Sequence, residues 1–131
     1  IGGSGVIRSY RALTNQQKAT VTYGRHLYAP WGVNGGEQGS TNEFSVLKSN
    51  GEVDGPYGMY ARYELNKNDV LVLKTGTGGG FGHPFLRPIE KVRQDVKNGY
   101  FSVTDAQEKF GVLIDSHTFE ILGETPERKT F

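Results

Sequence analysis

The glycine-rich segment at residues 75–84 is the part of this sequence that most suggests chemistry. It reads Thr-Gly-Thr-Gly-Gly-Gly-Phe-Gly-His-Pro and directly follows the apolar run at residues 70–73. Glycine tolerates positive φ angles and lets a ligand or another chain segment approach the backbone, so the segment could form a ligand cradle. The alternative is a tight connection packed against neighbouring backbone, and the segment's own residues favour it. The candidate substrate-binding residues here are Gly78, Gly79, Gly80, Phe81 and Gly82.

The segment matches neither of the common nucleotide-binding motifs. A P-loop needs Gly-Lys-Ser/Thr at the start of a helix, because the lysine binds the phosphates and the hydroxyl binds magnesium. Here the last glycine leads into His83 and Pro84. The dinucleotide-binding spacing also fails, since counting from Gly76 or Gly78 places its final glycine on Phe81 or His83. We therefore expect no nucleotide site in this segment.

His83 is the candidate catalytic residue. The neighbouring backbone N–H groups of residues 77–82 could donate to a developing oxyanion, while the imidazole supplies a proton or a hydrogen bond. His26 and His117 are distant in sequence and lack metal-binding spacing, so no metal site is predicted. The chain has no cysteine and no Gly-x-Ser-x-Gly motif, so no cysteine or serine nucleophile is predicted.

Trp31 is the single tryptophan and lies in a long aromatic loop at residues 24–36. Because aromatic side chains carry a large apolar area, we expect Trp31 to cap the core. The alternative is that its ring stacks on a ligand, which makes Trp31 a candidate substrate-binding residue. An unrelated ligand-binding β domain is a further alternative, and it requires Tyr28, Trp31, Tyr57 and Tyr60 to be exposed on one surface.

Charge and hydropathy argue against two classes of partner. The 15 basic and 14 acidic residues are scattered along the 131 positions, so nothing favours binding to nucleic acid or to an anionic membrane. The longest apolar run is far shorter than the roughly 20 residues that cross a bilayer. We predict a cytoplasmic protein with no nucleic acid and no membrane as a partner. Carboxylates such as Asp54 and Asp69 fall on turns or polar faces, where we expect them to be solvated.

The elements that must position these residues change in type along the chain. Short β-rich runs predict strands at residues 6–10, 19–23, 44–48, 59–65 and 70–74, the last two as a hairpin. From Pro88 the apolar period approaches 3.6, which predicts a helix ending at Gly99. Ser102 and Asp105 form a capping-box pattern for a second helix that ends at Gly111. Residues 112–114 and 119–121 flank a polar turn and predict a closing strand pair.

The predicted fold class is α+β: a predominantly antiparallel β domain with two short C-terminal helices and a closing extended segment. At 131 residues the chain is expected to form a single domain. Its parts are a β-rich region (1–75), the glycine-rich loop (76–87), the two helices with terminal strands (88–123) and a polar tail (124–131). The sequence begins with isoleucine and lacks a signal-peptide pattern, so we interpret it as a piece of a longer protein.

Several motifs in order resemble the C-terminal end of the hydantoinase B/oxoprolinase family, in particular N-methylhydantoinase B-like subunits. They are Gly78-Gly79-Gly80-Phe81-Gly82-His83-Pro84, Arg87-Pro88, Asn98-Gly99, Ser102-Val103 and Phe110-Gly111-Val112, with Tyr10, Pro30-Trp31-Gly32 and Gly35-Gly36 upstream. The resemblance spans nearly the whole chain, although most of its motifs are glycine-based. In one departure, His83 stands where the family usually has an aspartate.

The resemblance implies an ATP-dependent enzyme acting on cyclic amides such as hydantoins and 5-oxoproline. A hydantoinase A-like subunit or domain would bind ATP and Mg and phosphorylate the substrate, and the B half would complete ring opening. No cofactor is then expected in this chain, which would have a structural role or form a wall of the active site and be inactive alone. Related enzymes carboxylate ketones, and these residues do not separate the two reactions. A non-catalytic β-rich interaction or ligand-binding module is the other alternative.

Overall fold

Antiparallel strands dominate the first half of the chain. The computed structural model describes residues 2–131, which form two units; the first ends at Phe81 and the second is Gly82–Phe131. The strands of the first unit are β1 (Ile7–Arg11), β2 (Gln17–Thr22), β3 (Glu43–Leu47), β4 (Val53–Tyr57), β5 (Met59–Leu65) and β6 (Val70–Lys74). They form a four-stranded sheet in the order β1-β6-β3-β4 and a two-stranded sheet of β2 and β5.

The predicted hairpin of β5 with β6 is wrong. β5 pairs with β2, with Ala19 opposite Tyr63, whereas β6 lies between β1 and β3. The physical reason is the turn between them, which Asp69 ties to the segment that follows β3. The Asp69 carboxylate accepts the backbone N–H groups of Asn66 and Ser49, both at 2.9 Å. The chain therefore leaves one sheet and enters the other.

The expectation that Asp69 would be solvated is also wrong, since only 2% of this residue is exposed. The Asn66 N–H bond lowers the pKa of this carboxyl against the opposing effect of burial, and the Ser49 N–H and Lys48 add to the lowering. A buried carboxylate is tolerated here because hydrogen-bond donors replace the lost water.

The core of the first unit lies where the two sheets meet. In β3, Phe44 and Val46 are almost fully buried and alternate with less buried neighbours, which is the period expected of a strand with one face inward. The whole cluster of buried side chains consists of Ala12, Val21, Phe44, Val46, Tyr63, Leu65 and Leu71.

Strand β4 was not predicted because its sequence, Val-Asp-Gly-Pro-Tyr, contains residue types that are rare in strands. The structure accommodates them because β4 is an edge strand, pairing on one side with β3. A proline at an edge removes no hydrogen bond from the interior of a sheet.

The second unit combines short helices with one pair of short strands. After a short 3₁₀-helix (Pro84–Leu86) come α1 (Ile89–Lys97), α2 (Val103–Phe110), β7 (Val112–Ile114), β8 (Ile121–Glu124) and α3 (Pro126–Lys129). Strands β7 and β8 pair antiparallel. The buried side chains recur at helical spacing on α1 and α2, and the cluster consists of Val92, Val96, Ala106, Phe110, Val112 and Ile114.

Helix α2 shows how local residues set the ends of an element. Ser102 Oγ accepts the Asp105 N–H at 3.0 Å, and Asp105 Oδ2 accepts the Ser102 N–H at 3.1 Å. This is the predicted capping box. Gly111 has a φ of 65°, and such a left-handed residue ends a helix most readily when it is glycine. The structure thus confirms the α+β class and both predicted helices; α3, a single turn within the polar tail, was not predicted.

Helices in the described part of the chain are all too short or too polar to cross a membrane.

Candidate functional site

The glycine-rich segment packs backbone against backbone with two other parts of the first unit, residues 2–6 and 30–42. A Cβ atom built on Gly76 would lie 2.1 Å from the Ser40 carbonyl oxygen, and one on Gly79 would lie 2.0 Å from that of Trp31. Neither distance leaves room for a side chain. Close backbone approach therefore explains these glycines, as one of the two interpretations predicted. Within residues 76–82 a positive φ occurs at Gly82, where it is 74°.

Between Gly76 and Gly80, four backbone N–H groups of the segment donate within the chain. Gly76 donates to Asn42 Oδ1 at 2.7 Å and Thr77 to Ser40 Oγ at 3.0 Å. Gly78 and Gly80 donate to the carbonyl oxygens of Gly3 and Glu37 at 2.9 and 2.8 Å. A phosphate cradle needs N–H groups that point to the ligand, so these residues do not fit a nucleotide. The oxyanion role suggested for residues 77–82 stays a prediction, and three of its donors already have acceptors.

A cleft of about 220 Å³ lies beside the segment within the first unit. Its walls come from three stretches of chain that are distant in sequence. The lining residues are Arg25, Pro30, Ser40, Asn42, Gly76, Thr77 and Gly78. The cleft thus combines one cation, hydroxyl and amide groups, and glycine backbone, without a carboxylate in its lining.

Asn42 connects the walls of this cleft. Its Oδ1 accepts the Gly76 N–H, its Nδ2 donates to the Gly24 carbonyl oxygen at 2.6 Å, and its backbone N–H donates to the Arg25 carbonyl oxygen at 3.2 Å. The amide orientation follows from this pattern, because one neighbour is a donor and the other an acceptor. Asn42 therefore holds Arg25 where it has a φ of 54°, a left-handed value uncommon for residues other than glycine.

Ser40 and Thr77 close a second connection across the cleft. The Ser40 N–H donates to Thr77 Oγ1 at 2.9 Å, the Thr77 N–H donates to Ser40 Oγ, and the two hydroxyls lie 3.3 Å apart. Each hydroxyl oxygen thus accepts the other residue's backbone N–H. This reciprocal pair aligns the glycine segment with residues 40–42.

Trp31 does not cap the core as predicted: 72% of it is exposed. Its carbonyl oxygen is the atom packed closely on Gly79, and its ring centroid lies 5.8 Å from the Arg25 guanidinium carbon, within cation–π range. Tyr28 is also exposed, whereas Tyr57 is half-buried with its ring 5.5 Å from Phe44. The four aromatics of the ligand-binding alternative therefore do not form one exposed surface.

The remaining predicted site residues are not among those that line the cleft. Phe81 is exposed and forms a bridge with Val33. Gly82 and His83 begin the second unit, where His83 Nδ1 accepts the Phe85 N–H at 3.2 Å and its ring stacks on Phe131 with centroids 4.0 Å apart. An aspartate would supply the same kind of capping acceptor, so histidine here keeps the capping function. A catalytic role for His83 stays a prediction.

The sequence did not predict a hydrogen-bond network around Asp54, whose carboxylate was expected to be solvated. The hydroxyls of Tyr57 and Tyr63 each donate to one of its oxygens, and Lys48 Nζ lies 4.7 Å from the Tyr63 ring centroid. The Tyr57 hydrogen bond, followed by that of Tyr63, lowers the pKa of Asp54, and the bond to Asp54 raises the pKa of Tyr57 to about 12. Edge-strand β4 carries this network, which fastens it to β5.

Of the predicted substrate-binding residues, Gly78 lines the cleft, Gly79 packs on the Trp31 carbonyl oxygen, and the Trp31 ring lies beside the Arg25 guanidinium. Arg25, Ser40 and Asn42 were missed, because single polar residues in loops carry little signal. Clusters of three or more His, Asp or Glu side chains suited to a metal ion do not occur in residues 2–131. Chemically, the cleft can donate hydrogen bonds and present a positive charge.

Comparison with known proteins identifies the family. The model of the family Hydantoinase B/oxoprolinase matches residues 1–84. An uncharacterized protein of Methanocaldococcus jannaschii is 29% identical over 128 residues, which are 98% of this chain and 22% of that protein. A protein of Pseudomonas sp. strain NS671, named as the putative B-type subunit of a D-/L-hydantoinase, is 31% identical over 115 residues, covering 86% of this chain and 19% of its own length.

Solved structures share the fold. ATP-dependent caprolactamase from Pseudomonas jessenii superposes with a TM-score of 0.64 at 23% identity, over 95% of this chain and 21% of its own. Nucleotide-free acetone carboxylase gives a TM-score of 0.61 at 18% identity, over 86% of this chain and 19% of its own. The chain thus spans about a fifth of the length of the relatives it matches. On the family match over most of its residues, this chain belongs to the hydantoinase B/oxoprolinase family.

Proposed function

We propose that the chain is part of the B-type subunit of an ATP-dependent enzyme that opens cyclic amides such as hydantoins, 5-oxoproline or lactams. The observation that carries the proposal is the family match over residues 1–84. The relative named as a B-type hydantoinase subunit supports it, since its similarity extends over 86% of the chain. The beta subunit of a caprolactamase from Pseudomonas jessenii, 45% identical over 40 residues, carries the name of another cyclic-amide enzyme. Hydantoin and caprolactam share the ring C–N bond that such an enzyme must break.

Within that enzyme, we propose that the chain is a C-terminal part that forms one wall of the active site or supports it, and is inactive alone. Two features support this role. The glycine segment fixes three stretches of backbone to each other, which suits a rigid wall. The cleft lining offers donors and a cation but no carboxylate for acid–base catalysis. The groups that attack and protonate the ring would then come from the remainder of the enzyme.

The nucleotide belongs, in this proposal, to a partner. A hydantoinase A-like subunit or domain would bind ATP and Mg and activate the amide carbonyl by phosphorylation. Relatives named as B-type or beta subunits imply further subunits, and the caprolactamase structure is of an ATP-dependent enzyme. Between Gly76 and Gly80 the segment does not fit the phosphate chain of a nucleotide as a backbone cradle, because four of its N–H groups already donate within the chain. An ATP-consuming enzyme of this kind would work in the cytoplasm.

The test is nucleotide turnover by the full-length parent protein with its partner subunit. ADP release is measured with Mg and either a cyclic amide (hydantoin, 5-oxoproline or caprolactam) or acetone with bicarbonate. Stimulation by a cyclic amide in the absence of bicarbonate supports the proposal. Stimulation by acetone with bicarbonate alone would instead assign the protein to the carboxylases, whose fold it shares. Stimulation by neither would leave the chain as an interaction or ligand-binding module.

A further inference from the structure

We propose that the cleft beside the glycine segment binds a small oxyanion, with Arg25 as the residue that pairs with its charge. The choice of ligand rests on the proposed function, because ATP-dependent ring opening yields two such oxyanions, the carboxylate of the opened acid and inorganic phosphate. Both present planar or tetrahedral arrays of acceptor oxygens. The structure supplies the complementary donors.

Arg25 differs from the other arginines in where its unpaired charge lies. Within the described residues, three of the other six form ion pairs with carboxylates, namely Arg87 with Asp95, Arg93 with Glu90 and Arg128 with Glu124. Arg8, Arg11 and Arg62 form none, but they do not line the cleft. Among residues 2–131, no ion pair or hydrogen bond engages the Arg25 guanidinium, and no carboxylate lines the cleft. A cation without a counter-ion in a concave site attracts anions.

The polar side chains of the cleft also carry hydrogen-bond donors. Ser40 Oγ accepts the Thr77 N–H and Asn42 Oδ1 accepts the Gly76 N–H, so each of these acceptors already has a partner within the chain. One hydrogen of Asn42 Nδ2 goes to Gly24, and Thr77 Oγ1 lies within hydrogen-bond range of Ser40 Oγ. A second amide hydrogen of Asn42 and a hydroxyl hydrogen in the Ser40–Thr77 pair remain available. The cleft is therefore rich in donors, which suits an oxyanion and disfavours a cation.

Arg25 is also preorganised for an anion. The Arg25 backbone is held at a left-handed φ by Asn42, and its guanidinium lies over the Trp31 ring. A guanidinium over an aromatic face keeps its N–H edge available for two parallel bonds to a carboxylate or phosphate. The volume of about 220 Å³ is below the roughly 300 Å³ at which sites for drug-sized ligands begin. The cleft is thus suited to one end of a small molecule.

The experiment measures binding by calorimetry, using the full-length parent protein assembled with its partner. The probes are inorganic phosphate, 6-aminohexanoate (the acid formed by opening caprolactam) and neutral 6-aminohexanamide. Arg25→Gln is expected to weaken binding of phosphate, 6-aminohexanoate or both by about 10- to 100-fold, because a charge-assisted bidentate pair is lost. Arg25→Lys keeps the charge but not the two parallel N–H groups of the guanidinium, so a smaller loss of affinity is expected.

Arg62→Gln is the matched control, since Arg62 is also exposed, has a φ of 57° and lies outside the cleft lining. Binding to this variant should equal that of the unaltered protein. The proposal is overturned if Arg25→Gln binds both oxyanions normally, if Arg62→Gln weakens them equally, or if the neutral amide binds with the same dependence on Arg25. If Arg25→Gln does not fold, Arg25→Lys decides: unchanged affinity for both oxyanions overturns the proposal and weakened affinity supports it.

The probes also separate this inference from the proposed function. Arg25-dependent binding of phosphate in a protein without cyclic-amide turnover would support the oxyanion site and contradict the proposed function. Ring opening by a protein whose oxyanion binding does not depend on Arg25 would support the proposed function and contradict the oxyanion site. Whichever oxyanion depends on Arg25 identifies the source of the ligand.

Discussion

Asn42 Oδ1 accepts the backbone N–H of Gly76 at 2.7 Å, across 34 positions of sequence. With its Nδ2 bonded to the Gly24 carbonyl oxygen, the same amide joins the glycine segment to the loop that carries Arg25. One side chain, in the stretch at residues 40–42, thus links the other two stretches that line the cleft.

Removal of the Asn42 amide should loosen the cleft. We expect Asn42→Ala to lower the free energy of unfolding by about 1–3 kcal/mol, because the Gly76 N–H and the Gly24 carbonyl lose their partners. Asn42→Asp is the matched variant: it keeps the acceptor for Gly76 but, when ionised, presents a carboxylate to the Gly24 carbonyl oxygen. Chemical denaturation of the full-length protein measures both. Equal stability of Asn42→Ala and the unaltered protein would show that the link is not needed.

Close packing predicts that alanine substitution at two glycines has very different effects on stability. Gly79→Ala should destabilise by about 1–3 kcal/mol, because its Cβ would lie 2.0 Å from the Trp31 carbonyl oxygen and the backbone must move. Gly3→Ala is the control, since a Cβ there meets nothing within 4 Å. Thermal unfolding of the two variants, compared in one buffer, measures the difference. Comparable melting temperatures for both would contradict the backbone packing described.

The network at Asp54 predicts an unusual tyrosine titration. Because the bond to Asp54 raises the pKa of Tyr57 from 10.0 to about 12, its stabilising contribution is complete below pH 10 and is lost as the pH rises through 12. Asp54 has a lowered pKa, so its contribution is present above 3.8 and disappears as the pH falls through that lowered value.

The measurement for Tyr57 is tyrosinate absorbance against pH. The difference between the unaltered protein and Tyr57→Phe should show a midpoint near 12. Asp54→Asn is the control, and in that background the midpoint should fall toward 10.0. A midpoint near 10.0 in the unaltered protein would mean that the hydroxyl does not donate to Asp54.

His83 offers a test between capping and proton transfer. His83→Asn keeps an acceptor for the Phe85 N–H but cannot exchange a proton near neutral pH. We expect turnover of the full enzyme to stay within about twofold, because the variant keeps the cap. If His83 were a general acid or base, turnover would fall by about 100-fold or more. His83→Ala, which removes the cap as well, controls for structure. A loss of turnover of that larger size in His83→Asn, with unchanged folding, would give His83 the catalytic role suggested by the sequence.

Local signals in the sequence were sufficient for helices α1 and α2 of the second unit. The capping box of Ser102 with Asp105 and the left-handed Gly111 are set by residues within one or two turns, so α2 was predictable with its ends. The partner of β5 was not predictable in this way. The pairing of Ala19 with Tyr63 joins strands that are far apart in the chain, and the sequence of neither strand specifies its pairing partner.

For the site, the sequence predicted the glycine segment and the family but not the residues that line the cleft. Glycine density signalled close approach of backbone, and Gly79 against Trp31 shows that approach. Arg25 and Asn42 become neighbours through long-range folding, so no local pattern marks them. Trp31 was misplaced because its large apolar area argued for the core, whereas the structure packs its carbonyl oxygen on glycine and leaves the side chain exposed.

The most direct test of the proposed function is product analysis with the full-length protein and its presumed ATP-binding partner. The mixture contains ATP, Mg and hydantoin, 5-oxoproline or caprolactam, with and without bicarbonate, and mass spectrometry identifies the product. We predict a ring-opened acid formed without bicarbonate, together with ADP. A carboxylated product from a ketone added in parallel, with every cyclic amide left intact, would contradict the proposal.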